Sequence, residues 1–387
     1  MKSTNNNPEF SVFGGPLSKL GGWLGLIRNG TDSSRFGIVI GLSIWIVLMV
    51  ISVVAGNSDR FFSLNLLAGH VRFLVAIPLF FICETWVSPR MAEFVDHALN
   101  SGLVPESEQP ALAQSISRIN RLRNSWIPEA FLLLVMFSLP FFDTSGFLPG
   151  KSASTAYLIK HAGGILTLAN MLYLGLGLPL FRFLLARWFW HLGLWFYFLY
   201  RFQKLKLQLN PIHSDGAGGL GYLEVVQEQF APLAVAFSSI LAASFAEEII
   251  TGTLPFESLY YVIPTALLLN LALFVGPLLM FSGKLRICRI RGLNEYMVMA
   301  SHYVDAFDQN WVRDEKVTGQ SQLGTPDIQS LADLTNSVNV IRNMQAVPIS
   351  RRLLMVFVIG VILPFVPFVF LKFNFSEVMR KLLQMVA

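Results

Sequence analysis

Residues 36–55 read FGIVIGLSIWIVLMVISVVA, twenty in a row without a charge. A helix rises about 1.5 Å per residue, so about 20 apolar residues cross a bilayer's hydrocarbon core. A second run, 260–281, is YYVIPTALLLNLALFVGPLLMF and is also uncharged. Strands of a membrane barrel alternate apolar and polar residues, and these runs do not. The reading is therefore an all-α, polytopic transmembrane helical bundle.

The rest of the chain agrees. It has 387 residues, 53% hydrophobic and 14% charged, against about 25% charged in an ordinary soluble domain. The apolar runs predict seven spans, at about 36–56, 67–87, 126–142, 163–184, 230–251, 260–282 and 353–371. The first run begins too late and is too long for a cleavable signal, and is read as a retained span. Two cytoplasmic helical segments are expected, at 88–125 and 283–350. In the first, Ser88-Pro89 reads as a helix start and Gly102 as a stop. Leu112, Ile116, Ile119, Leu122 and Trp126 then form one stripe. In the second, Leu293, Tyr296, Met297, Ala300, Tyr303 and Phe307 form a stripe. Another joins Ile328, Leu331, Leu334, Val338 and Ile341, across a polar loop at 313–325.

Residues 185–203 are the ambiguous piece. Trp188, Trp190, Trp195, Tyr197 and Tyr200 crowd together, and Trp and Tyr favour headgroup depth. Charge arbitrates. If this stretch lies in the interface and the N-terminus is cytoplasmic, 22 of the 29 Lys and Arg fall on the inner side. If it crosses, the bias disappears. The positive-inside rule selects an interfacial aromatic helix. The same rule explains the net charge of +5, and no nucleic-acid-binding motif accompanies that charge.

Ionisable residues at membrane depth are costly, and by default they mark function. An outer set comprises His70, Arg72, Asp143, Glu247 and Glu248, with Arg72 expected to meet Glu247 or Glu248. Adjacent carboxylates on a helix point about 100° apart, so only one can face it. An inner set comprises Glu84, Glu129, Arg182, Arg187 and His191, with Glu84 within reach of Arg182 or Arg187. Asn170 and Asn270 fall near the middle of their spans. The six histidines show no metal-ligand spacing with each other or with Cys83 and Cys288, so neither metal nor cofactor is expected. Gly37-x-x-x-Gly41 suggests a helix-packing seam through which two copies would associate.

Residues 211–221, PIHSDGAGGLG, contain the spacing of a phosphate-cradling loop. The strand–turn–helix context of a dinucleotide site is missing. What remains is a turn in which Asp215 caps a helix beginning near Gly218. His213, Asp215, Gly216, Gly218 and Gly219 are candidates for binding an anion or lipid phosphate at that helix start.

The stretches HVRFLVAIPLFFICE (70–84), RFLLARWFWHLGLW (182–195), HSDGAGGLGYL (213–223) and SLADLTNSVNVIRNM (330–344) are similar to a group of uncharacterised bacterial polytopic membrane proteins. The resemblance covers most of the chain and implies a bacterial inner membrane. It implies no activity. Three functions are compatible with the residues: permeation or transport of a small ion or solute; a scaffold or sensor acting through cytoplasmic helices; and a membrane-embedded enzyme on a lipid-like substrate, with His213 and Asp215 as acid/base or phosphate-binding groups.

Overall fold

The computed structural model describes residues 10–27, 32–56, 58–142, 165–313 and 326–368. It is all-helical, with no strand among the described residues. Four helical stretches are long and apolar enough to cross a membrane: Ser34–Val54, Leu64–Asn100, Tyr222–Ile250 and Phe256–Phe274. Asp143 and the 313–325 loop beyond Arg313 lie outside the described residues, as do the side chain of Asn170 and the chain after 368.

The first elements are α1 (Pro16–Trp23), α2 (Ser34–Val54) and α3 (Leu67–Val71). A π-helical turn at Arg72–Ala76 joins α3 to α4 (Ile77–Asn100). The expected boundary at Ser88-Pro89 is absent, because Pro89 lies inside α4. An internal proline removes one helix hydrogen bond. Here packing overrides that loss, since Val87, Met91 and Phe94 on the surrounding turns are fully buried. The stop at Gly102 is present. Gly102 has φ +74°, and the chain doubles back so that Val104 N donates to Ala98 O at 3.1 Å. This is a left-handed helix end that glycine adopts without strain.

Next come α5 (Gln109–Asn124), α6 (Trp126–Phe142) and α7 (Ile165–Leu172). On α5, Leu112, Ile116 and Ile119 are buried as the stripe predicts, whereas Leu122 and Trp126 are exposed. A second π-helical turn, Tyr173–Gly177, connects α7 to α8 (Leu178–Gln203).

α8 corrects the aromatic-arm expectation. Residues 185–203 do not form a separate interfacial helix but continue the same rod from Leu178. Trp188, Trp195, Phe198 and Phe202 are each at most 1% exposed. Trp195, Phe198 and Phe202 meet Phe10, Phe94 and Phe281 in tilted or edge-on contacts, while Tyr200 on the same helix is 45% exposed. The reason is local. A tryptophan prefers an interface because its N–H needs a polar partner, and Trp195 Nε1 finds Gln227 Oε1 at 3.2 Å inside the fold.

The remaining helices are α9 (Tyr222–Glu228), α10 (Ala231–Ile250), α11 (Leu259–Phe274), α12 (Ser282–Asp308), α13 (Pro326–Arg342) and α14 (Arg351–Ile362). α12 and α13 pack on each other as a hairpin. Val338 and Ile341 are buried, and Met297 and Ile328 stay exposed. The Gly37/Gly41 face packs closely within the chain, against Phe81 and Phe73. A Cβ on Gly41 would stand 2.2 Å from the Phe73 carbonyl oxygen, and one on Gly37 would stand 2.5 Å from the Phe81 ring.

Candidate functional site

Two buried charged clusters lie at opposite ends of one helix face. Arg72, Ala76, Phe80 and Glu84 recur every four residues, and all are at most 3% exposed.

At the Glu84 end, Arg187 of α8 stands between two carboxylates. Its Nη1 donates to Glu84 Oε2 and its Nε to Glu129 Oε1, both at 3.1 Å. Nη2 donates to Gly14 O and Ser18 Oγ, also at 3.1 Å. All three guanidinium nitrogens are thus engaged, and the side chains of Arg187, Glu84 and Glu129 are between 2% and 7% exposed. Glu129 also accepts from Leu17 N at 3.0 Å. That N–H belongs to the first turn of α1, where helical donors have no partner within the helix. Gly15 makes the approach possible: at φ +92° it has no side chain to collide with Glu129 Oε1, which a Cβ would meet at 2.6 Å.

Of the two expected partners, Glu84 takes Arg187. Arg182 is buried on the same helix, 4% exposed. His191 is 2% exposed. Phe13 meets the His191 ring edge-on at 5.1 Å, and His191 Nδ1 has no hydrogen bond among the described residues. The sequence reading left Glu129 unpaired and gave residues 10–18 no part in the cluster. The available signal was Phe10 and Phe13 beside Gly14-Gly15-Pro16. Aromatic residues spaced for burial ahead of a short helix mark a segment that folds inward.

At the other end, Arg72 opens one π-helical turn and Tyr173 opens the other. Arg72 Nη1 donates a short hydrogen bond to Tyr173 Oη. The guanidinium carbon lies 5.9 Å from the centre of the Phe181 ring. Arg72 is 1% exposed, and its Nε and Nη2 have no hydrogen-bond partner among the described residues. Glu247 of α10 is fully buried, and its Oε1 accepts at 2.6 Å from the N–H of Ala68, one turn before Arg72. The Arg72 hydrogen bond therefore goes to Tyr173, not to the carboxylate the sequence suggested. Glu248, the next residue on α10, is only half-buried. His70 is separate. It accepts from Trp45 Nε1 at Nδ1 and pairs through Nε2 with Phe61 O, both at 2.8 Å. Those two partners fix the Nε2–H tautomer and use both ring nitrogens.

Between the clusters the fold is packed with rings. Phe80 lies against Phe181, Trp188 and Phe237 with centroids 6.2–6.4 Å apart. Asn270 is also buried; its Nδ2 bonds Ala266 O at 2.8 Å.

The glycine loop is a different structure from the one expected. Its helix starts at Tyr222, not near Gly218. Asp215 holds the backbone N–H groups of Ala217 at 2.8 Å, Gly219 at 3.0 Å and Gly221 at 2.8 Å. His213 Nδ1 lies 2.9 Å from its Oδ1. The anion in this cradle is the protein's own carboxylate. Burial pushes the Asp215 carboxyl up, but the three N–H donors and His213 outweigh it and hold its pKa below the usual carboxylate value. Gly216, Gly218 and Gly219 all have positive φ, which is why the loop needs glycine there. Gln345 N donates to Gly216 O at 2.8 Å and ties the loop to the end of α13. The loop is thus a structural clasp, with His213 at its partly open edge. No cluster of three or more metal-ligating side chains occurs among the described residues.

Fold and clusters together define a helical protein with four helices long and apolar enough to cross a membrane and with charge buried among its helices. No family model matches the chain, nor does any curated protein or solved structure.

Proposed function

We propose that this chain is a seven-span protein of a bacterial inner membrane, with a cytoplasmic N-terminus, that carries a small anionic solute. One observation carries the reading: Arg72 is buried within the apolar stretch Leu64–Asn100, and two of its nitrogens bond nothing among the described residues. A buried cation is costly, and a donor left unsatisfied adds about 1–3 kcal/mol or more. Such a side chain is retained where a ligand completes it. The π-helical turns that carry Arg72 and Tyr173 are rare and recur at functional sites.

The rings between Arg72 and Glu84 support a carrier in an occluded state more than an open pore. The Arg187 cluster, closed over by residues 10–18, then acts as the inner gate. Reconstitution into vesicles tests the proposal. Uptake of chloride, phosphate or acetate should exceed that of protein-free vesicles, vanish in Arg72→Gln and survive in part in Arg72→Lys. Uptake by folded Arg72→Gln at the unmodified rate would sink it.

The scaffold or sensor reading is favoured by a different feature, the exposed α12–α13 hairpin. Vesicles with no flux for any solute, together with loss of phenotype on deleting that hairpin, would select it. The enzyme reading loses its main support, because the N–H groups meant for substrate hold Asp215.

A further inference from the structure

The groove between the irregular segment 206–211 and the start of α12 carries an unassigned site. It encloses about 520 Å³, and its walls include Lys206, Lys284, Cys288, Arg291 and Glu295. Three cations against one carboxylate leave a formal excess of two positive charges. Arg291 Nε holds Glu295 at 2.8 Å, so that carboxylate is fixed on one wall. Lys284 is oriented by its bond to Leu205 O. Partial burial lowers the Lys284 pKa below its ordinary value, with Glu108 opposing the shift. An ammonium held this way has shed part of its water, so an arriving anion displaces less.

Position decides which anion. α12 begins at Ser282, directly after the membrane-length stretch Phe256–Phe274 and the turn Gly276–Phe281. Counted from Phe281, where the uncharged run ends, Lys284 and Arg291 fall within about 15 Å along the helix, at about 1.5 Å per residue. Between Lys284 and Arg291 the groove wall is apolar at Ile287, which is 68% exposed, and nearby in the chain Leu279 (55%) and Ile290 (50%) are exposed too. A soluble phosphate compound has no use for that apolar rim. An acyl chain does.

We propose that this groove binds the headgroup of an anionic phospholipid from the inner leaflet, its phosphate on Lys206, Lys284 and Arg291 and its chains along Leu279 and Ile287. The site does not depend on any transport activity. It rests on the proposed topology: α11 must cross the membrane with its α12 end at the inner leaflet.

The test uses the purified full chain in mixed micelles, with phosphatidylglycerol titrated against phosphatidylcholine and binding read by native mass spectrometry and thermal shift. The preference for phosphatidylglycerol should fall about fivefold for each cation removed in Lys206→Gln and Arg291→Gln, since a surface cation contributes about 1 kcal/mol. Arg286→Gln, a cation on the same helix outside the groove, should keep the preference. Lys284→Gln is left aside because it also removes a structural bond. An equal loss in Arg286→Gln would show a general charge effect and overturn the site. So would no loss in Lys206→Gln and Arg291→Gln. Stabilisation by inorganic phosphate alone, equal to that by phosphatidylglycerol, would overturn the lipid assignment.

Discussion

Phe80 and Phe181 lie nearly parallel, 19° between ring planes and 6.3 Å between centroids. On α4, Phe80 sits between the turn that carries Arg72 and the turn that carries Glu84. The pair therefore separates the two buried charged clusters. Truncating Phe80 tests both its packing role and its barrier role. Phe80→Ala should cost about 3–5 kcal/mol of stability, as large-to-small core changes do. Phe80→Leu should cost much less. Vesicles bearing folded Phe80→Ala should leak small ions faster than those bearing Phe80→Leu. Equal leak rates would remove the barrier role while leaving the packing role.

The Arg187 cluster makes a sharper energetic prediction. Removing the arginine leaves Glu84 and Glu129 buried without their cation, which should cost about 3–5 kcal/mol. Replacing all three residues by apolar ones of similar size should recover most of it, because the desolvation cost of the charges disappears too. Denaturation in detergent of Arg187→Met and of Arg187→Met/Glu84→Met/Glu129→Met measures both. A triple variant no more stable than the single one would show that Leu17, Ser18 and the α1 start depend on the carboxylates themselves.

These two clusters also show what the sequence could carry. A single uncharged run specifies a membrane helix, because length and hydropathy are local properties. The pairing of Glu84 with Arg187 was open between two arginines, since depth alone does not choose between neighbours on one helix. Pro89 and the tryptophans of 188–195 misled for a related reason. Proline signals a break and tryptophan signals an interface only when no tertiary partner intervenes, and here Phe94, Phe198 and Gln227 intervene. The π-helical turns at Arg72 and Tyr173 left no pattern to read, because one extra residue in a turn is invisible to an apolar periodicity.

Gly41 gives a steric prediction. Its would-be Cβ meets a backbone carbonyl, that of Phe73, which cannot rotate away as a side chain can. Gly41→Ala should therefore force α2 and α4 apart and cost at least the 1–3 kcal/mol or so typical of overpacking. Gly22→Ala on α1, where nothing lies within 4 Å, should be neutral or gain up to about 1 kcal/mol from helix propensity. Thermal unfolding of both variants in one detergent decides. A Gly41→Ala protein as stable as its parent would mean that the α2–α4 contact is looser than the structure has it.

Asp215 carries the pH dependence. Its folded pKa lies below the ordinary carboxylate value, with burial opposed and outweighed by the N–H groups of Ala217, Gly221 and Gly219 and by His213. A depressed carboxyl pKa stabilises the fold above the unfolded pKa, near about 3.9. That contribution is lost as the pH falls through the lower folded value. The clasp should thus hold at neutral pH and weaken only in strong acid. Asp215→Ala should unfold more easily at neutral pH, by about 1–3 kcal/mol for the N–H donors left unsatisfied, and its stability should fall less steeply on acidification. Asp215→Asn keeps one acceptor oxygen and should lie between the two. His213→Ala should leave the loop folded, because the three N–H bonds to Asp215 do not pass through the imidazole. Stability against pH for the four proteins checks each ordering. An Asp215→Ala protein with an unchanged acid limb would place the loop's anchor elsewhere.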